Sequence, residues 1–489
     1  MDLKPIESGA TDPATGRDPR RWAALALLCV ASFMMILDSQ FVVLALPSIQ
    51  SALEMSPEQV QWVITVNAIT FGGLLLLGGR MADLIGRRKA FMIGVAGFLL
   101  TTMLSGLSWD AGTLVIARAL HGVSSALMVP SALSILMNTF QEGPERNRAI
   151  AAWSAVGGVG AVGGLLVGGV LTTELGWQWA FLVNVPVVLC LLVVTPFVLR
   201  ESRDSAQRRT FDVAGALTVT LALAALIYAT VDGPVAGWAS VRTIGLYVLA
   251  AALIALFVVI ESRSSAPLVP LPILRKPTVL VGNLLMMLVA GIVWGEGLLI
   301  SLHTQQVMGY SAFESGLVSA AMPVMSVAGA YVGQAMVTRR GFKLPMAVGA
   351  IGLGAACLLL TRLPIGANIT TTIIVPLALF GLCLGIGHTT SNIVALTDVD
   401  EPESGLASGL ISAGFQIGGA IGTAIAATVA VSVTAGSTEP ADLAAGFEAG
   451  FVALAIMALL ALLLAFALPA YTRRTGKRRA AAEARPAAG

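Results

Sequence analysis

Apolar residues run along this chain in long, nearly unbroken stretches. They show neither the period of two of a half-buried strand nor the one-sided stripe of a soluble helix. A helix that crosses a bilayer needs about 20 such residues, and fourteen stretches qualify: 22–47, 60–79, 90–107, 112–136, 150–172, 180–199, 213–231, 243–260, 279–302, 315–337, 345–361, 370–397, 406–434 and 450–468. The pattern predicts an all-α polytopic membrane protein. Polar linkers at 200–209 and 261–276 bracket the seventh and eighth stretches. Removing that pair leaves six on either side, so we expect two six-helix bundles with a two-helix insert. The expected parts are an N-terminal segment (1–21), a first bundle (22–200), the insert with its linkers (201–277), a second bundle (278–470) and a basic tail (471–489).

The polar residues between the runs orient the chain. Arg80, Arg87, Arg88 and Lys89 crowd the hairpin between the second and third stretches, and short basic loops mark the cytoplasmic side. With both termini on that side, all but three of the 29 Lys and Arg face the cytoplasm, the exceptions being Arg118, Arg242 and Arg362. The opposite loops carry Glu54, Glu58, Asp110, Glu174 and Asp232.

Composition narrows the function. With 56% hydrophobic and 11% charged residues, a single water-soluble core is excluded. Residues 1–21 are polar and do not read as an export signal. Basic charge is dealt out loop by loop, so no nucleic-acid partner is expected. Cys29, Cys190, Cys357 and Cys383 each sit in an apolar run with no pair close in sequence, which suggests neither a disulfide nor a metal site. Gly158 to Gly163 spells G-x-G-x-x-G, but within an apolar run it is not a dinucleotide loop. Without a phosphate-binding loop or a nucleophile–base pair, no enzyme and no cofactor is expected.

Glycine spacing points to a duplication. Gly160, Gly164 and Gly168 in the fifth span, and Gly414, Gly418 and Gly422 in the fifth span of the second half, recur every four residues. Such a row makes a flat face where a neighbouring backbone approaches closely.

Ionisable groups within the apolar runs cost free energy and mark function. Asp38, Arg118 and Glu296 stand out. They lie about 13, 9 and 9 Å from the outer ends of their predicted spans, a shared slab of the membrane. His121 is one turn from Arg118 on the same face. His388 sits beside Thr389, Thr390, Ser391 and Asn392, and His303 lies at the outer end of its span, an interfacial position. Met34, Met35 and Phe41 lie near Asp38, and Trp294 near Glu296. Such soft and aromatic surfaces suit loosely specified apolar or cationic ligands.

Several motifs then agree in order. LDSQFVVLALP at 37–47 resembles the first-helix signature of the fourteen-helix drug:proton antiporters of the major facilitator superfamily, with Asp38 at its acidic position. RALHGVSSA at 118–126 resembles the fourth-helix signature, whose arginine is linked to proton transfer; His121 stands where the family usually has glutamine. Gly79, Asp83, Gly86, Arg87 and Arg88 resemble the loop signature that follows the second helix, with Leu84 in place of a usual basic residue. GWQWAFLVNVP at 176–186 and QQVMGYS at 305–311 are also similar to family segments. Helix 5 departs from the antiporter signature, since Leu165 replaces its proline.

The resemblance implies a major facilitator fold with fourteen transmembrane helices, in a bacterial cytoplasmic membrane. Helices 1, 4, 9 and 12 would line a central cavity. It implies a proton-coupled exporter of amphipathic, cationic drugs, acting as a monomer. Asp38, Arg118 and Glu296 would couple protons, and Met34, Phe41, His121, Trp294, His388 and Asn392 would line the cavity. The basic hairpin would act as a cytoplasmic latch, with Arg87 and Arg88 pairing across the bundles. Two other readings stay open: a transporter of one metabolite, such as a self-made antibiotic or siderophore, and a non-transporting membrane sensor.

Overall fold

The computed structural model describes residues 20–140, 144–201, 212–264, 267, 269, 271–362, 370–399, 404–434, 436–437 and 439–466. Residues 1–19, the basic tail, most of the first polar linker and the side chain of Asp83 lie outside this set.

Every regular element among the described residues is helical. In chain order they are α1 (Arg21–Ala52), α2 (Pro57–Ile85), α3 (Arg87–Gly106), α4 (Ala111–Thr139), α5 (Pro144–Glu174), α6 (Trp179–Leu182), α7 (Asn184–Val198), α8 (Val213–Ala236), α9 (Val241–Arg263), α10 (Pro277–Leu302), α11 (Ala312–Ser319), α12 (Ala321–Arg340), α13 (Lys343–Leu360), α14 (Val375–Leu396), α15 (Ser404–Thr434) and α16 (Pro440–Phe466). Pairs α6–α7 and α11–α12 each run on as one span, and π turns extend α10 to Val307 and begin before α14 at Thr370. Each predicted stretch overlaps a helix among the described residues. Eleven helices or helix runs are long and apolar enough to cross a membrane, while α5 and α8 carry the shorter apolar stretches Val159–Glu174 and Ala214–Thr230.

Local chemistry sets the helix ends. Ser56 and Gln59 form a capping box ahead of α2, with Pro57 at the first helical position. Ser311 and Glu314 do the same for α11, and Asp110 caps α4. Bonds from the Thr113 amide and hydroxyl hold the Asp110 carboxyl below its usual range. Between α2 and α3 the chain turns at Gly86, whose φ of 108° suits glycine.

Two apolar cores form, one from α1 to α7 and one from α10 to α16. The glycine rows face the first helix of their own half. Added side chains at Gly160, Gly164 and Gly168 would press on Ile36, Gln40 and Phe41 of α1. At Gly414, Gly418 and Gly422 they would meet Met287 and the backbone of Gly291 on α10. The two halves thus repeat one packing arrangement.

The polar bonds between the halves lie toward the end with acidic loops, the outer end by the charge argument. Ser301 Oγ donates to the Val43 carbonyl (2.8 Å), Gln305 Nε2 to the Leu44 carbonyl (3.2 Å), and Gln306 Nε2 to Gln50 Oε1 (3.0 Å). Beside them, α5 touches α11, where the Phe313 amide donates to Thr173 Oγ1 (3.3 Å) and a side chain at Gly316 would overlap the Leu165 carbonyl. These bonds hold the halves together at the end that carries the acidic loops. A second large contact between the halves, α2 against α15, is covered by α8.

Candidate functional site

A charged cluster lies inside the first half. Arg118 Nη1 donates to Asp38 Oδ2 at 2.8 Å, and the two side chains are 4% and 1% exposed. α1 and α4 carry them to the same depth, the guanidinium 5.8 Å from the Phe181 ring. Breaking such a pair leaves a bare charge in a medium that solvates it poorly, so the two groups constrain each other. The second oxygen, Asp38 Oδ1, is buried with no protein hydrogen bond.

His121 completes the cluster, Nε2 lying 3.5 Å from Asp38 Oδ2. Its tautomer follows from Asn67. The Asn67 amide nitrogen donates to the Arg118 carbonyl (3.2 Å), which can only accept, and lies 2.9 Å from His121 Nδ1. Nδ1 is therefore the acceptor, and in the neutral ring the proton sits on Nε2, facing the carboxylate. Phe98 closes the other side, its ring 4.4 Å from the imidazole. Neither Asn67 nor Phe98 stood out in the sequence. An amide carries no charge, and its only signal was polarity within an apolar run.

The second half differs from expectation. Glu296 is buried, yet it shares its face of α10 with Ile292, Leu299 and Ile300, which belong to the second core. It lies close enough to the buried Cys357 of α13 for the two groups to interact electrostatically. Its Oε2 has no protein hydrogen bond. His303, just past the end of α10 and two turns beyond Glu296, is buried, its ring 5.9 Å from Phe447. Met34 and Phe41 are likewise core residues, Phe41 wedged against Gly168, and neither forms a cavity wall in this state. Met35, half-buried, packs instead with Phe71, Leu75 and Ala413 where α2 meets α15.

Trp294, His388 and Asn392 remain half-buried. Phe415 of α15 joins them, its ring 6.2 Å from Trp294 and 5.6 Å from His388, while Asn392 Nδ2 donates to the His388 carbonyl (3.1 Å). This aromatic and amide face is the second element of the site.

The basic hairpin is tied within its own half. The Arg88 amide donates to Glu201 Oε1 (3.1 Å), its Nη1 to the Leu199 carbonyl (3.3 Å), and its Nε is 3.9 Å from Glu201 Oε2. The turn at Gly86 aims the start of α3 at the end of α7, which replaces the expected pairing across bundles for Arg88. Gly79 lies near Pro130 of α4. Among the described residues no group of three or more His, Cys, Asp or Glu could hold a metal.

The sequence profile of the Major Facilitator Superfamily matches residues 28–423. The chain belongs to that superfamily. It is a multi-pass membrane protein in a family of transporters, not enzymes. It is 40% identical over 301 residues to the uncharacterized MFS-type transporter EfpA of Mycobacterium tuberculosis, a match spanning 61% of this chain and 56% of that relative. It is 36% identical over 408 residues, 83% of this chain and 80% of the relative, to the puromycin resistance protein pur8 of Streptomyces alboniger. The multidrug resistance protein Stp of M. tuberculosis is 33% identical over 382 residues, 77% of this chain and 70% of its own length. In fold, the chain is similar to a bacterial homolog of the human lysosomal transporter Spinster, solved inward-facing and unoccupied (TM-score 0.67, 15% identity, 92% and 98% of the two chains). As a superfamily member, the chain carries its buried ion pair on α1 and α4, the first and fourth helices of the first half.

Proposed function

We propose that this chain exports amphipathic, cationic organic molecules across the cytoplasmic membrane in exchange for protons. It would do so with fourteen spans, two six-helix halves and the insert α8–α9, with both termini in the cytoplasm. The observation that carries the reading is the buried Arg118–Asp38 pair. A carboxylate held by one arginine, with one oxygen unused and a His N–H facing the other, can exchange its ion pair for a proton. Two relatives named for resistance, pur8 and Stp, support export as the direction.

In this mechanism the halves rock about the site between them. A proton reaching Asp38 from outside neutralises it, loosens Arg118, and weakens the pull on a cation in the cavity, so cargo leaves outward. Loss of that proton to the cytoplasm restores the pair. Trp294, Phe415, His388 and Asn392 offer aromatic and amide contacts to a loosely specified substrate. A one-for-one exchange of a proton for a monovalent cation moves no net charge, so the pH difference drives it, at about tenfold in cargo concentration per pH unit.

Ethidium uptake into everted membrane vesicles tests the reading. An acidic lumen should drive accumulation, and a protonophore should abolish it. Accumulation driven by ATP in a collapsed gradient would overturn it.

A further inference from the structure

The two seams between the halves are built differently. Along the α2–α15 seam the insert helix α8 lies across both. Ala68 and Ile69 of α2, Leu223 and Ile227 of α8, and Ala420 and Ala424 of α15 form one apolar cluster. The Trp62 and Tyr228 rings pack at a tilt, 5.8 Å apart, and Thr428 Oγ1 donates to the Thr230 carbonyl (3.3 Å). Toward the cytoplasmic end, Ala216 of α8 packs with Leu74 of α2 and Leu410 of α15. A covering helix therefore follows this seam along its length.

Across the molecule, α5 meets α11 at backbone distance. A side chain at Gly169 would press on the Phe313 backbone, and one at Gly316 on that of Leu165. A groove of about 420 Å³ flanks this contact, lined by Leu166, Val167, Val170, Leu171, Phe313 and Leu317. All six are apolar, and Val167, Val170 and Leu317 are exposed. The groove is continuous with the junction that must part when the outer end opens.

We propose that this groove receives the apolar part of the exported molecule as it passes through the parted α5–α11 seam into the outer leaflet, while the insert keeps the α2–α15 seam closed to lipid. The inference rests on the export reading and adds its route. Opening the glycine contact joins the cavity and the groove, so a molecule with a cationic head and an apolar body leaves without exposing its body to water. On the other seam the same movement uncovers only α8, which bridges both halves.

The test uses the full-length protein in native membranes, with trimethylammonium-diphenylhexatriene as a bilayer-resident cationic probe. The unsubstituted protein should extrude it from the membrane. Val170→Trp and Leu317→Trp fill the groove and should each slow extrusion at least fivefold. Val248→Trp, on the exposed surface of α9, should leave the rate unchanged. Ethidium binding to the purified variants should stay within twofold, which separates a blocked route from a collapsed fold. If tryptophan lowers binding, Leu317→Asn makes the groove polar without filling it and carries the same expected slowing. Extrusion at the normal rate in both groove variants, with Val248→Trp no faster, would overturn the route and leave the export reading standing. Failure of the unsubstituted protein to move either probe would overturn the export reading, and the route with it.

Discussion

Arg118 and Asp38, 80 residues apart in sequence, meet at 2.8 Å in the interior of the first half of the molecule, both side chains almost fully buried. The pair binds α1 to α4, so its making and breaking acts on the packing of two helices as well as on charge.

Removing one partner should therefore destabilise the fold. Arg118→Ala leaves a carboxylate alone in the core, at a cost of about 3–5 kcal/mol. Thermal unfolding of the purified protein should show a clear drop. The double variant Asp38→Asn/Arg118→Met removes both charges and should recover most of that loss while transport stays absent. A double variant as unstable as Arg118→Ala would show that shape, not charge, governs the site.

His121 separates structure from proton handling. His121→Gln keeps an acceptor for Asn67 and removes a titratable ring 3.5 Å from Asp38. Its thermal stability should stay near normal, while the pH dependence of ethidium efflux changes shape. His121→Leu leaves the Asn67 amide short of an acceptor and should cost about 1–3 kcal/mol besides.

Some of this was legible in the residues and some was not. Asp38 and Arg118 announced themselves because charge in an apolar run is expensive, and their meeting shows that α1 and α4 carry them to one level. Glu296 passed the same test yet faces the second core. Depth follows from counting, but the face depends on which neighbour covers it, and a helix apolar all round gives no stripe to read. Phe41 was misjudged for the same reason, since nearness to Asp38 in sequence does not place it on the same wall. The fourth-residue glycine rows were informative because only a bare backbone permits the approach of Gly422 to Gly291. Arg88 needed the turn at Gly86 to be seen before its partner Glu201 could be named.

The outer closure should be adjustable at one glycine. Gly316→Ala forces α11 away from the Leu165 carbonyl, an overpacking cost of about 1–3 kcal/mol borne by the closed state. That should raise the outward-open population roughly 5- to 150-fold. Distances between spin labels at Ala52→Cys and Met308→Cys, with the four native cysteines replaced, should lengthen; an unchanged distribution would deny the contact its role.

At the basic hairpin the backbone should matter more than the ion pair. Arg88 and Glu201 are both partly exposed, so Glu201→Gln should change stability by at most about 1 kcal/mol. Gly86→Ala both strains a left-handed backbone and meets the Glu201 carboxylate, and should slow ethidium efflux more than Glu201→Gln does. Equal effects would mean that the charge, not the turn, positions α3.

The central claim is that Asp38 links the proton to the cargo, and Asp38→Asn in proteoliposomes tests it most directly. Asparagine imitates the protonated acid, so the variant should still exchange labelled for unlabelled ethidium down its gradient but should no longer concentrate it when a pH gradient is imposed. Accumulation driven by the pH gradient at the normal level in Asp38→Asn would contradict the account.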